Sequence, residues 1–175
     1  MNKRPFLVTA LALAAALTLG AQAQAQAVKI AVLQELSGAG ATAGTNAKNG
    51  IEMAVKEINA NGGILGRKIE TLVADTQSNP SVAKGLAQKA VDDNVFAVMG
   101  PTFSGSILVS MTETKRAEIP NFTGGEAASI TKQGNPYIFR TSFTQTTAMP
   151  KVARYIANNL KAKTVAVIYL SLIHI

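Results

Sequence analysis

Strand-length runs of Val, Ile and Leu alternate with segments whose apolar residues recur every three or four positions, and this alternation continues along most of the chain. Residues 28–34 (V-K-I-A-V-L-Q) end in a Ser/Gly/Ala loop and read as a buried strand. From Thr45 onward, Ile51, Ala54, Val55 and Ile58 fall at i, i+3, i+4 and i+7, and Asn61-Gly62-Gly63 supplies a left-handed stop, so an amphipathic helix is expected there. A second strand over 68–75 follows. Pro80 then opens a helix with Ala83, Leu86, Ala87, Ala90 and Val91 inward, and 96–99 is a third strand. Next come a helix over 104–116 (Ile107, Leu108 and Met111 inward), a strand over 119–123 and a Gly-Gly turn. The series closes with a strand over 137–140, a helix near 146–160 with Met149, Val152, Ala153, Ile156 and Leu160 inward, and a buried strand over 164–170.

Alternation of this kind implies an α/β fold with a parallel, doubly wound sheet. Each strand-helix-strand step crosses over right-handed, which places helices on both faces and gathers the loops that follow the strands along one edge. Ligands bind at that edge in open α/β sheets. Three loops should meet there: 35–44, 100–105 and 123–127.

The first residues belong to a different pattern. Asn2, Lys3 and Arg4 form a basic head, residues 6–19 an uncharged apolar run, and A-Q-A-Q-A-Q-A follows. Fourteen apolar residues fall short of the roughly 20 that span a bilayer, whereas Ala25 and Ala27 suit signal peptidase. Residues 1–27 are therefore expected to be a secretory signal peptide cleaved after Ala27. Loss of Lys3 and Arg4 lowers the formal charge of +7 by two. With no Cys there is no acylation site, disulfide or thiolate metal ligand, so an exported product without a stable membrane anchor is expected. The remaining lysines are scattered without interleaved aromatics, which argues against nucleic acid as a partner.

The loops carry what chemistry there is. G-A-G-A-T-A-G over 38–44 departs from the dinucleotide fingerprint because its third Gly comes one position late, so no cofactor is expected and a roomy rim loop is favoured. In G-P-T-F-S-G-S (100–106) the next helix begins near Ser104, and free amides there can hold an anion; Ser104 can equally act as the helix cap. Phe103 is either core or an apolar wall. In T-G-G-E-A-A-S (123–129), Glu126 either complements the dipole of a short helix or attracts an ammonium. Enzyme readings lack parts: the sole imidazole, His174, lies in the last residues, Asp92-Asp93 looks like a solvated helix end, and a Glu35–Glu126 acid/base pair fits no motif.

Several stretches together resemble one family. V-K-I-A-V-L…S-G, N-G-I-E-M-A-V-K-E-I-N-A-N-G-G-I-L-G-R-K-I-E, D-T-Q-S-N-P, V-M-G-P and I-P-N-F-T…Y-I-F-R-T are similar to the periplasmic branched-chain amino-acid-binding proteins of ABC transporters. The resemblance implies a two-lobed type I periplasmic binding protein fold: a first lobe over 28–140 and the start of a second over 141–169. It implies capture of an amino acid or amide in the periplasm and delivery to a transporter permease; a sensor domain of the same fold is the alternative. It further implies that Thr102, Phe103, Ser104 and Gly105 meet the ligand carboxylate, with the hydroxyl at Ser104, and that Gly124, Gly125 and Glu126 receive the ammonium. Glu126 stands where a Thr is usual and Ala43 where a Tyr often covers the ligand, which implies a larger, more acidic pocket. Family members are also about twice as long. The closing L-S-L-I-H-I (170–175) can be encoded by CTG TCT CTT ATA CAC ATC, which resembles a transposase sequencing adapter, so that tail is expected to be non-native and His174 to have no role.

Overall fold

A computed structural model describes residues 26–167. The signal segment expected over 1–27, all but its last two residues, and the tail 170–175 with His174 lie outside the described residues. Five strands, β1 (Val28–Gln34), β2 (Ile69–Asp75), β3 (Ala97–Met99), β4 (Asn121–Thr123) and β5 (Ile138–Arg140), form one sheet in the order β2-β1-β3-β4-β5. Every pairing is parallel. The connecting helices are α1 (Ala41–Ala60), α2 (Pro80–Asp92), α3 (Ser104–Arg116) and the short α4 (Ser129–Lys132); α5 (Gln145–Tyr155) follows β5 and ends in a π-helical turn, Ile156–Leu160.

β1 is the spine. All seven of its residues pair with β2, from Val28 with Ile69 to Gln34 with Asp75, and Ile30 to Val32 pair with β3 on the other side. Ala31, Val32 and Leu33 are buried, as a strand covered on both faces requires. Chain order runs outward from β1 to β2 and then reverses through β3, β4 and β5. Right-handed crossovers consequently set α1 on the opposite face from α2 and α3.

On the α2 face, Ala87, Ala90 and Val95 close over Ala31, Leu33 and Val98. Ala83, Ala87 and Ala90 line the buried stripe of α2, small residues that let a helix approach closely. Pro80 sits at the first helical position, and the Asn79 side chain accepts from the amides of Ser81 (2.8 Å) and Val82 (3.3 Å), which fixes where α2 starts. A second cluster joins Ile107 and Met111 of α3 to Ile130 and Ile138.

Several expectations need correction. α1 begins at Ala41 rather than Thr45, because a 3-10 turn at Gly38–Gly40 leads directly into it. Its apolar stripe is only partly covered: Ile51 and Val55 are half-buried, while Ala54 and Ile58 are exposed. Phe96 is 68% exposed and precedes β3 instead of opening it. The inward face expected near 146–160 is exposed, with Met149, Val152 and Leu160 open to solvent, since no sheet among the described residues packs against it. For the same reason 164–167 form no strand; with no neighbouring edge to join, that backbone has no ladder to complete.

The rim is tied down by backbone-directed side chains. Asp75 Oδ1, at the end of β2, accepts from the amides of Leu36 (2.8 Å), Ser37 (3.1 Å) and Gln77 (2.8 Å). Desolvation pushes this carboxyl upward, but the hydrogen bonds from Ser37, Gln77 and Leu36 outweigh it and hold the group below the usual carboxylate range. A depressed folded-state value means the stabilisation is present at neutral pH and lost as pH falls through that value. Asp75→Asn should therefore melt below the parent at neutral pH, with the gap closing on acidification; parallel melting curves at both pH values would contradict this.

Gly100 has φ +105, and a Cβ there would lie 2.0 Å from the Leu33 carbonyl oxygen. Gly85 is the contrast, in mid-α2 with open space around it. Denaturant unfolding should show Gly100→Ala losing about 3 kcal/mol and Gly85→Ala gaining about 0.5–1 kcal/mol.

Candidate functional site

The strand order reverses between β1 and β3, so the loops leaving those two strands diverge to opposite faces and leave a crevice beyond their carboxyl ends. The three loops expected to share this edge are hydrogen-bonded to one another. Glu35, immediately after β1 and fully buried, accepts from the Thr102 amide through Oε2 (3.0 Å) and from the Phe103 amide through Oε1 (3.2 Å). Gln34 reinforces the same joint: its Oε1 accepts from Thr102 Oγ1 (2.8 Å), and its amide nitrogen donates to the Met99 carbonyl (3.4 Å). First and second loops thus form one unit.

Ser104 is the first residue of α3, and Phe103 precedes it in extended backbone with no side-chain cap. Ser104 therefore does not cap its own helix. Its Oγ instead accepts from the Ala127 amide (3.3 Å) and joins the second loop to the third. A second link comes from Thr123, whose hydroxyl donates to the Pro101 carbonyl (2.8 Å). The Phe103 ring lies over the first loop, where a Cβ on Gly40 would sit 2.8 Å from its Cζ.

Packing dictates the Gly-Gly pair of the third loop. A Cβ on Gly124 would touch Thr102 at 3.8 Å, an ordinary contact, but on Gly125 it would meet Ile107 Cδ1 at 2.3 Å and Ile130 Cδ1 at 2.8 Å. This loop's carbonyls are engaged by residues around β5. Ser142 Oγ donates to Gly124 (2.7 Å), the Arg140 guanidinium donates to Gly125 and to Ala127 (2.7 Å to the latter), and the Gln145 amide donates to Glu126 (3.3 Å). Glu126 is half-buried and lies three residues before α4, so it does not sit in that helix's first turn. Among the described residues its carboxylate forms no ion pair.

A cavity of about 260 Å³ opens at this edge, between Ala47 and Ile51 of α1 and the strand ends at Gln34, Met99, Gly100, Phe122 and Thr141. Of the expected ligand contacts it brings together Thr102 and Gly124; Phe103, Ser104, Gly105, Gly125 and Glu126 lie on the surrounding loops rather than on its wall. Ala43 is exposed in the first turn of α1. The sequence reading did not single out Gln34, Arg140 or Ser142 as rim-builders. For Gln34 a signal existed: a polar residue closing an otherwise apolar strand run must find a buried partner. Among the described residues no group of three or more His, Asp or Glu side chains could hold a metal ion, and no helix is long and apolar enough to cross a membrane.

Comparison with known proteins places this architecture. Residues 27–172 match the periplasmic binding protein family. A Leu/Ile/Val-binding protein from Rhizobium johnstonii is 33% identical over 142 residues, which is 81% of this chain and 39% of that protein. The leucine-specific-binding protein of Salmonella typhimurium is 31% identical over 143 residues, again 81% of this chain and 39% of the relative. In three dimensions, the branched-chain amino acid transporter substrate-binding protein LivJ from Streptococcus pneumoniae, solved in complex with isoleucine, superposes with a TM-score of 0.76 at 32% identity, covering 78% of this chain and 40% of that one. The chain thus spans about two fifths of the length of the relatives it matches. With a parallel sheet of matching shape, a crevice at the strand-order reversal and a family match over most of its length, the chain belongs to the periplasmic binding proteins and has their type I fold.

Proposed function

We infer that this chain supplies one jaw of an extracytoplasmic solute-binding protein, which captures an amino acid or related small polar molecule in the periplasm and hands it to the permease of an ABC importer. The observation that carries this reading is the set of three strand-end loops joined side chain to backbone around one crevice at the β1/β3 reversal. Relatives named for binding leucine, isoleucine and valine support the ligand class. On this reading 28–140 form the first lobe, 141–169 begin the second, and the basic-apolar leader directs export and is removed after Ala27. No chemistry on the ligand is involved.

Roles follow from position. Thr102 and Gly124 form the cavity wall; the Ser104 hydroxyl, accepting from Ala127, keeps its own proton to donate. Glu126, which forms no ion pair among the described residues, is assigned to a ligand amine. A ligand stabilises closure only to the extent that it binds the closed form better than the open one, so contacts from a second lobe supply much of the affinity.

The test is calorimetric titration of the full-length protein with amino acids, amides, polyamines and aromatic acids. Glu126→Gln should weaken amine-bearing ligands by about tenfold, the scale of one charge-assisted hydrogen bond, and leave amine-free ligands unchanged. Equal loss for both groups would remove the amine assignment, and silence across the whole panel would remove the capture reading.

A further inference from the structure

Glu35 is a buried carboxylate with no cation beside it. Its relative exposure is 0%, and among the described residues none of the ion pairs includes it. What holds it is backbone: the amides of Thr102 and Phe103, one to each oxygen, at the turn that opens α3. The first loop is shaped around this side chain. A Cβ on Gly40 would stand 2.6 Å from Glu35 Cβ, and one on Gly44 only 2.0 Å from the Glu35 carbonyl oxygen, so both glycines make room for it. Phe103 closes over the same place, its ring tip 2.8 Å from where a Cβ on Gly40 would be.

The two backbone amides that lead into the first turn of α3 are thus already taken by a carboxylate of the chain itself. That changes what the rim can offer a ligand. A carboxylate arriving at 102–105 would find the Thr102 and Phe103 amides taken and a like charge buried close behind them, where screening by water is weak. Beside the amides of Ser104 and Gly105, the side chains of this turn suit a different group. Ser104 Oγ accepts from Ala127 and can donate its proton to a neutral carbonyl, while Thr102 Oγ1 donates to Gln34 and keeps lone pairs for a ligand N–H. A primary amide matches that donor and acceptor pair. Glu126 adds a second acid to the same rim.

We propose that Glu35 is an internal anion that fixes the ligand class: it positions the turn 102–105 and directs the site toward ligands that present a carboxamide or another uncharged polar group there, in preference to a free carboxylate. This rests on the reading of the rim as the ligand site. Glu35 touches no ligand itself and acts through Thr102 and Phe103 as a positioning residue.

L-Leucine and L-leucinamide differ at the group in question. Each is titrated calorimetrically into the full-length protein at mildly acidic pH, where both amines stay protonated. The parent is expected to bind leucinamide about tenfold tighter than leucine, and Glu35→Gln to shrink that ratio by about tenfold by removing the charge; Glu35→Asp, which keeps the charge, should retain the preference. A purely structural role would weaken both ligands alike and leave the ratio unmoved. A parent that favours leucine, or a ratio unchanged in Glu35→Gln, overturns the proposal while leaving amino-acid capture intact. A parent that binds neither overturns capture as well. Should Glu35→Gln fail to fold by circular dichroism, the parent's own ratio, with that of Glu35→Asp, still decides.

Discussion

The ladder of β1 against two parallel neighbours is the constraint on which everything else depends. A parallel pair cannot be closed by a tight turn, so each neighbour of β1 costs a crossover helix, and the helices must lie on opposite faces once the chain order reverses. Seven residue pairs with β2 and three with β3 fix β1 in register on both sides. That register leaves Gln34 and Glu35 at the carboxyl edge, beside the turn that leaves β3. A one-residue slip would exchange the faces of Val32 and Leu33 and would also carry Glu35 away from the Thr102 and Phe103 amides. Sheet and site are therefore specified by the same pairing.

Legibility in the sequence follows the same physics. Periodicity revealed all five strands and the helices α1, α2 and α3, since those signals arise from burial on one face or both, and Pro80 marked the start of α2 within the local chain. The meeting of three loops at one edge was readable too, because it follows from topology alone. What could not be read was who bonds to whom on that edge. Ser104 looks from its neighbours like a helix cap, yet it bonds 23 residues away to Ala127; Glu35 looks like a loop acid, yet it is the most enclosed carboxylate on the rim. Such partners are chosen by tertiary approach, which local patterns do not encode. The misplaced start of α1 has a local cause: Gly38 and Gly40 weaken the helix signal, while the 3-10 turn they form carries the chain straight into it.

The rim is built from side chains that bond to backbone rather than to one another. Asp75, Glu35, Ser104, Arg140 and Ser142 each clamp a loop amide or carbonyl. Clamps of that type fix loop geometry before any ligand arrives, so less ordering entropy is lost on binding. Arg140, the last residue of β5, and Ser142, just past it, also couple the third loop to the point where the chain leaves this sheet. A change in the direction of the chain there would be felt at the carbonyls of Gly124 and Gly125.

Among the described residues the apolar face of α5 is uncovered. Met149, Val152, Tyr155 and Leu160 remain open to solvent beyond the last strand, whereas the apolar residues of α3 are buried against the sheet. A run of exposed apolar side chains like this marks a surface suited to packing against another element. Among the described residues that cover is lacking from just after Ser142 onward. The sheet side of this boundary is packed and capped, and the far side is not. The boundary in packing therefore falls just past β5, where the chain leaves the sheet.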